Sequence, residues 1–163
     1  MNTEDLIIDE LKDYFNTEDV TLSDSPHYGL KTFKVDNCLY AVGTYTEAYE
    51  AAKKEAKNIF EEAYSDEDKV NWLQKNNWIG VDTESVCDAI SDDEYTFTDI
   101  DEYVSMFGSK ASEAISYNFI KYYIDEDEIA QYVIDCDGIA HSLATYDGNE
   151  IELDSELYAY RIN

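Results

Sequence analysis

Basic residues are scarce in this sequence. Its 163 residues include 11 Lys and Arg against 38 Asp and Glu, which gives a formal net charge of −27. Nucleic acid and anionic membrane surfaces carry the same sign of charge, so neither is expected as a direct partner. Self-repulsion at this charge also opposes a compact fold. The excess therefore needs a cause, and the candidates are halophilic adaptation, solubility or a cationic partner.

Cysteine, proline and long apolar runs are also rare. The three cysteines, Cys38, Cys87 and Cys136, are far apart and form no C-x-x-C pair, which is typical of a protein from a reducing cytoplasm. No apolar run approaches the roughly 18 residues of a membrane span, and "MNTEDLII" lacks the positive residues of an export signal. We therefore expect neither membrane insertion nor export.

Apolar and aromatic residues are plentiful despite the charge. Hydrophobic types make up 44% of the chain and aromatic types 14%, whereas an acidic disordered tail would lack aromatics. The length fits one domain, residues 1–163, with a modest core. The composition predicts a compact, ordered protein.

The periodicity of the apolar residues predicts an α+β fold, with several packed helices and a small antiparallel sheet built from an N-terminal and a C-terminal hairpin. Strands are predicted at 30–35 and 38–42, on either side of an Asp36-Asn37 turn, and at 150–153 with 158–162. Helices are predicted at 3–15, from a Thr44/Glu47 capping box onward, and at 66–78, 84–91 (opened by Thr83), 98–107 (opened by Thr98 and ended by Gly108), 110–124 and 126–136. Segment 16–29 is expected to be a loop. Tyr14 and Tyr122 are placed on buried helix faces.

No metal or catalytic motif is complete. If Gly138 of "DEDEIAQYVIDCDG" is aligned with the glycine of an EF-hand loop, Val133 and Ala144 occupy the first and twelfth positions, where acids are required. His27, His141 and the cysteines lack the spacing of zinc ligands. We expect no cofactor and no dedicated metal site.

Covalent and nucleotide-dependent catalysis also lack a signature. Cys136 lies between Asp135 and Asp137, which disfavours a thiolate and favours a structural role. G-x-S-x-G, Walker A and G-x-G-x-x-G are all absent. Pairs of carboxylates are inevitable among 38 acids, so a spatially assembled carboxylate site stays open as an alternative but has no specific signal. We predict that the protein is not an enzyme.

The negative charge is concentrated in clusters. Residues 1–60 carry a net −6 and residues 61–163 a net −21, and residues 83–137 hold 15 acids with only Lys110 and Lys121. Duplex DNA carries one charge per about 1.7 Å, so −27 matches about 46 Å of duplex, or roughly 13 base pairs. We predict a partner-binding acidic surface composed of Glu61, Glu62, Asp66, Glu67, Asp68, Asp92, Asp93, Glu94, Asp99, Asp101, Glu102, Asp125, Glu126, Asp127, Glu128, Asp135 and Asp137. The alternative for each cluster is a solvated face that serves solubility.

Small size, extreme acidity, high aromatic content and an α+β layout resemble the antirestriction and anti-CRISPR DNA mimics of phages and mobile elements. The tail is similar to the ends of small phage proteins of unknown function, which finish on YDG-x-E and Y-x-Y-R-x-N. The matching residues are Tyr146, Asp147, Gly148, Glu150, Tyr158, Tyr160, Arg161 and Asn163. Asp147-Gly148 suits a turn, and Arg161 is expected to pair with a carboxylate.

The resemblance implies a phage-encoded inhibitor in the host cytoplasm. Its partner would be a host nucleic-acid-binding protein or complex with a basic cleft, such as a CRISPR, restriction or DNA-processing protein. One alternative is a phage structural or assembly adaptor that is acidic for solubility, and an enzyme with a carboxylate site is a further one. A homodimer is possible in each case.

Overall fold

The computed structural model describes residues 2–163, apart from the side chains of residues 109 and 112, and divides the chain into two compact units. One unit, called the sheet unit here, contains the chain up to Ala56 together with Val133–Asn163. The other, called the helical unit, is Lys57–Tyr132. The single domain that the length suggests stays a prediction.

The sheet unit confirms the α+β prediction. It begins with helix α1 (Thr3–Phe15) and contains strands β1 (Val20–Leu22), β2 (Lys31–Val35), β3 (Cys38–Thr44), β4 (Glu150–Glu152) and β5 (Leu157–Arg161). All neighbouring strands are antiparallel, in the order β1-β2-β3-β5-β4. Because β5 pairs with β3 as well as β4, the N-terminal and C-terminal hairpins join in one sheet.

The two faces of the sheet bury different residues because side chains alternate along a strand. Val42 of β3 belongs to a core cluster with Ile7 and Leu11 of α1. Its neighbour Ala41 belongs to a second cluster with Ala48 of α2 (Tyr45–Glu62) and with Leu143 of a short helix, Ile139–Leu143. The sheet is therefore covered by α1 on one face and by the start of α2 on the other.

The helical unit contains short helices. After the end of α2 come α3 (Asp66–Lys75), α4 (Thr83–Ile90) and α5 (Ile100–Phe107), then a 3-10 turn at Gly108–Lys110, α6 (Ala111–Ala114), α7 (Tyr117–Ile120), a 3-10 turn at Lys121–Tyr123 and the start of α8 (Glu126–Asp137). The helix Ile139–Leu143 in the sheet unit is α9, and a 3-10 turn at Asp154–Glu156 separates β4 from β5. The core of the helical unit includes Phe60, Leu73, Trp78, Val86, Ile100, Ile115, Ile120 and Ile129.

The predicted helix 110–124 is wrong, because it is two short helices and a 3-10 turn. The backbone leaves the helical region at Ile115 (φ −98°, ψ 51°) and is extended at Ser116, whose hydroxyl accepts a hydrogen bond from the Phe119 amide. A serine that caps a new helix competes with continuation of the old one. Tyr122, predicted to be buried, is 81% exposed.

Three smaller predictions are also wrong. The loop 16–29 contains β1, which pairs with β2 and buries Val20. Tyr14 is 55% exposed. Asp82 caps α4, one residue before the predicted Thr83, and Asp99 caps α5, one residue after the predicted Thr98.

Within residues 2–163, no helix has the length and apolar content needed to cross a bilayer.

Candidate acidic interaction surface

Almost all of the predicted acidic surface is accessible to solvent. Of its seventeen carboxylates, sixteen are exposed and Glu126 is half-buried. Fifteen lie in the helical unit, whereas Asp135 and Asp137 lie in the sheet unit near the end of α8. The fifteen acids of the helical unit therefore form the candidate surface.

The charge asymmetry along the sequence does not carry over to the two units. The helical unit has 19 acidic and 5 basic residues, a net −14, and the sheet unit has 19 acidic and 6 basic residues, a net −13. Each unit therefore presents about half of the excess negative charge.

Two of the predicted clusters meet in the helical unit. Burial of the Tyr117 hydroxyl raises its pKa, and three nearby carboxylates raise it further. These are Glu126 at the start of α8, Asp66 at the start of α3 and Glu61 at the end of α2. We call Glu61, Asp66 and Glu126 the carboxylate cluster. The clusters 61–68 and 125–128, distant in sequence, thus form one negative region.

Two lysines stabilise this region. Lys57 of α2 forms an ion pair with Asp127 of α8. Lys69 of α3 has its Nζ 3.8 Å from Asp66 Oδ1 and 4.4 Å from the centroid of the Tyr117 ring. The Lys69 side chain is only 9% exposed, so its charge interacts with these neighbours rather than with solvent.

Glu126 is the carboxyl group with the most altered acidity in this region. A hydrogen bond with Glu61, partial burial and the Glu61 charge raise the pKa of Glu126 to about 7, although Lys57 and Lys69 act in the opposite direction. Two carboxyl groups that share a hydrogen bond hold one proton between them, because both cannot ionise without strong repulsion. The carboxylate cluster therefore takes up a proton near neutral pH.

Helix geometry accounts for the position of many of these acids. Asp99 caps α5, because its Oδ1 accepts a hydrogen bond from the Asp101 amide at 2.8 Å. At the start of α8, Asp125 Oδ1 accepts hydrogen bonds from the amides of Asp127 and Glu128. The first turns of α3, α5 and α8 hold Asp66, Glu67, Asp68, Asp101, Glu102, Glu126, Asp127 and Glu128. Negative side chains stabilise the positive end of a helix by about 0.3–1 kcal/mol each. Local stability thus explains where these charges lie along the chain.

The acidic loop 92–94 has a local structural role as well. Asp92 Oδ1 accepts hydrogen bonds from the amides of Glu94 and Tyr95, at 2.9 and 2.8 Å. Asp93 and Glu94 are exposed beside this turn. Their charge has no comparable structural explanation.

Four further acids of the helical unit were not predicted to belong to the acidic surface, namely Asp82, Glu84, Asp88 and Glu113. All four are exposed. The charge of Asp88 acts on the Cys87 thiol together with those of Asp99 and Glu102. Burial of the thiol is the main reason that the Cys87 pKa is raised, and these charges raise it further. None of the four has another acid directly beside it in the sequence, so they lack the clustering on which the prediction depends.

A cleft of about 350 Å³ opens in the helical unit beside α3. We call it the α3 cleft. Its apolar lining includes Val70, Trp78, Val104 and Ile115, and its polar lining includes Asp66, Glu67, Asn71, Gln74 and Tyr117. Glu67, Asn71 and Gln74 follow one another at spacings of four and three, which puts them on one helix face. That spacing within the predicted helix 66–78 is the signal that could have identified this cleft.

The base of the α3 cleft is fixed by Trp78. Its side chain is 5% exposed, and its Nε1–H donates to Asp101 Oδ1 at 3.0 Å. The described residues that line the cleft include no lysine, arginine or histidine. Glu126, whose pKa is raised, does not line the cleft. The cleft therefore combines an apolar base with an acidic and amide rim.

Metal binding and cysteine chemistry gain no geometric support. Within residues 2–163, no group of three or more His, Cys, Asp and Glu side chains is placed to hold a metal ion. Cys136 is exposed near the end of α8, between Asp135 and Asp137, rather than packed as a structural residue.

The C-terminal motif has a structural role in the sheet unit. The Arg161 guanidinium lies 3.6 Å from the centroid of the Tyr146 ring, and its Nε donates to the Asn163 carbonyl. The Tyr160 hydroxyl donates to Glu150 Oε1 at 2.6 Å, between residues paired in β4 and β5. Burial and this hydrogen bond raise the Tyr160 pKa. The two parts of the motif therefore contact each other. Among the residues that the structure describes, Arg161 forms no ion pair with an Asp or Glu side chain and lies on an aromatic ring instead.

No family model matches the chain, and neither a curated protein nor a solved structure is detectably similar to it.

Proposed function

We propose that the protein is a phage-encoded, non-enzymatic inhibitor that occupies the basic nucleic-acid-binding cleft of a host defence or DNA-processing protein. CRISPR and restriction complexes are the leading targets, and the site of action is the host cytoplasm. The observation that carries the proposal is the exposure of sixteen of seventeen clustered carboxylates on a well-packed chain.

The amount of charge suits this role. The net −14 of the helical unit equals the charge on about 24 Å of duplex, or roughly seven base pairs. A cationic cleft that has evolved to hold phosphates attracts such a surface from a distance and releases its counterions when the surface binds. Exposed acids such as Asp93 and Glu94, which have no capping role, are the ones that local stability leaves unexplained.

The decisive experiment is capture of partners from host lysate, followed by a salt gradient. We expect a nucleic-acid-binding protein to be retained at low salt, released steeply as salt rises and displaced by duplex DNA. A captured partner whose affinity does not change with salt, or no captured partner at all, contradicts the proposal.

A matched pair of variants separates a specific surface from net charge. D93N/E94Q/E102Q/E128Q removes four exposed charges from the helical unit, and D9N/D13N/D19N/D24N removes four from the sheet unit. We expect the first variant to weaken binding at least tenfold and the second to change it several-fold less. Equal weakening by both would mean that total charge, rather than this surface, governs binding.

A phage structural or assembly adaptor is the second candidate, and exposed aromatic rings in the sheet unit favour it. Tyr45 is 57% exposed and lies near Tyr158, with ring centroids 6.4 Å apart, and Tyr146 is 58% exposed. Aromatic residues are enriched at protein interfaces. Capture of a phage virion protein that resists high salt and is lost in Y45A would favour this candidate over the inhibitor.

A further inference from the structure

The α3 cleft has the dimensions of a binding site rather than of a packing defect. Its volume of about 350 Å³ lies at the small end of the range for ligand sites, about 300–1,000 Å³. That size suits one large side chain or a small molecule. Trp78 is held rigidly by its hydrogen bond to Asp101, so the base of the cleft is already formed before any ligand binds.

The rim of the cleft selects for positive charge. Asp66 already has Lys69 beside it, but Glu67, one residue further on, is exposed and forms no ion pair within the described residues. The helical unit around it carries a net −14, which repels anionic ligands. A cation is therefore the ligand whose charge complements this rim.

The remaining lining distinguishes among cations. The side-chain oxygens of Asn71 and Gln74 can accept hydrogen bonds, and Val70, Val104 and Trp78 provide apolar and aromatic surface. The Tyr117 ring already has the Lys69 Nζ 4.4 Å from its centroid. A planar guanidinium or amidinium group donates in a fork to carboxylate and amide oxygens and also stacks on aromatic rings, whereas an ammonium ion is compact and strongly hydrated. The combination of an acid, two amides and apolar surface thus suits a planar cation on an apolar stem.

We infer that the α3 cleft is a recognition pocket for a guanidinium or amidinium group, and that in the proposed complex it receives an arginine side chain of the basic partner. This second part rests on the proposed function. The exposed acids would then attract the partner from a distance, and the pocket would fix its position. Interfaces commonly combine a few buried anchors, often arginine, with a polar rim that contributes less.

The first test uses a small probe and needs no partner. Benzamidinium, neutral benzamide and anionic benzoate are titrated into ¹⁵N-labelled protein, and the indole N–H signal of Trp78 is followed by NMR. We expect saturable shifts with benzamidinium, at least fivefold weaker binding of benzamide and no binding of benzoate. Equal shifts with all three probes, or no saturable shift, overturn the inference.

A matched substitution locates the probe. E67Q removes the charge at the rim, and E94Q removes an exposed charge of the same unit outside the lining. We expect E67Q to weaken benzamidinium binding at least threefold and E94Q to leave it within a factor of two. If the two variants behave alike, the probe is responding to total charge and the pocket is not its site.

The second test compares the effects of E67Q and E94Q on benzamidinium binding with their effects on binding of the captured partner. If E67Q weakens both benzamidinium and the captured partner more than E94Q does, the arginine assignment is supported. If the probe does not bind while salt-dependent capture persists, the pocket is wrong and the proposed function stands. If the probe binds but E67Q and E94Q affect the partner equally, the pocket serves a free organic cation and the arginine assignment is overturned.

Discussion

Glu126 and Glu61 share a hydrogen bond between their carboxyl groups, which links the start of α8 to the end of α2 within the helical unit. The Lys57–Asp127 ion pair joins the same two segments. One contact requires a proton and the other requires charge. The junction is therefore sensitive to pH near neutrality, on a surface where most other acids are simply exposed.

The stability of the protein should fall as pH rises through the pKa of Glu126. That pKa is raised from 4.5 to about 7 in the folded protein, so the folded state binds the proton more tightly than the unfolded state. The resulting stabilisation is complete below about pH 4.5 and is lost as pH rises through about 7. Urea unfolding of wild type and E126Q at pH 5 to 8 should show wild type losing stability relative to E126Q. The difference should be about 1 kcal/mol or less, because the pair is partly exposed and screened.

Comparison with E126Q removes other titrations from this measurement. His27, for example, has a pKa lowered by burial, partly offset by a hydrogen bond with the Leu143 backbone, and titrates in both proteins. E128Q removes a charge from the same helix turn outside the pair and is the matched control. A parallel pH profile for wild type and E126Q would contradict the shared proton.

Capping and negative charge can be separated at Asp99. Its carboxylate accepts a hydrogen bond from the Asp101 amide at the start of α5. Asparagine caps a helix about as well as aspartate, so D99N should keep wild-type stability within a few tenths of a kcal/mol, whereas D99A should lose about 1 kcal/mol. Thermal unfolding of the two variants tests this.

The same two variants also test why Asp99 is acidic. If the partner recognises charge, D99N and D99A should weaken capture equally despite their different stabilities. Should D99N bind as wild type does, the carboxylate would be explained by capping alone.

Local signals in the sequence predicted much of the fold. The capping box is confirmed, since the Thr44 amide donates to Glu47 Oε1 and the Glu47 amide donates to Thr44 Oγ1. The turn at Asp36, with φ 53°, and the tail hairpin are confirmed as well. Each of these features depends on residues a few positions apart, for which sequence pattern is a good guide.

Features set by distant contacts were not predictable in the same way. Strand β1 has strand-favouring Val20 and Thr21 but is only three residues long, so it depends on pairing with β2 and on burial of Val20. The helix break before Ser116 depends on one hydroxyl that caps the next helix. The solvent exposure of the acids was predictable because charged side chains are rarely buried. The hydrogen bond between Glu61 and Glu126 was not, because only the tertiary fold brings these two residues together.

Trp78 should be important for the stability of the helical unit. W78F removes the Nε1–H···Asp101 hydrogen bond and leaves part of a buried site unfilled. We expect a loss of about 2–3 kcal/mol in the free energy of urea unfolding. D101N, which keeps an oxygen acceptor, should lose much less than W78F. If W78F is as stable as wild type, the residue is not the fixed base of the α3 cleft.

Gly80 should tolerate no side chain, because the backbone there is both left-handed and crowded. Its φ is +75°, and a Cβ would lie 2.9 Å from the Asp125 carbonyl oxygen and 2.7 Å from Ile129 Cγ1. The Gly80 carbonyl also accepts a hydrogen bond from the Asp125 amide at 2.7 Å. Left-handed backbone costs an L-residue about 1–2 kcal/mol and the clash adds a similar amount, so G80A should lose about 2–4 kcal/mol in urea unfolding.

Gly148 provides the control for this substitution. Its φ is +69°, but a Cβ added there would meet nothing within 4 Å. G148A should therefore lose only about 1–2 kcal/mol, the cost of the left-handed backbone alone. Equal losses in G80A and G148A would show that the crowding of Gly80 against α8 is relieved by movement of the helix.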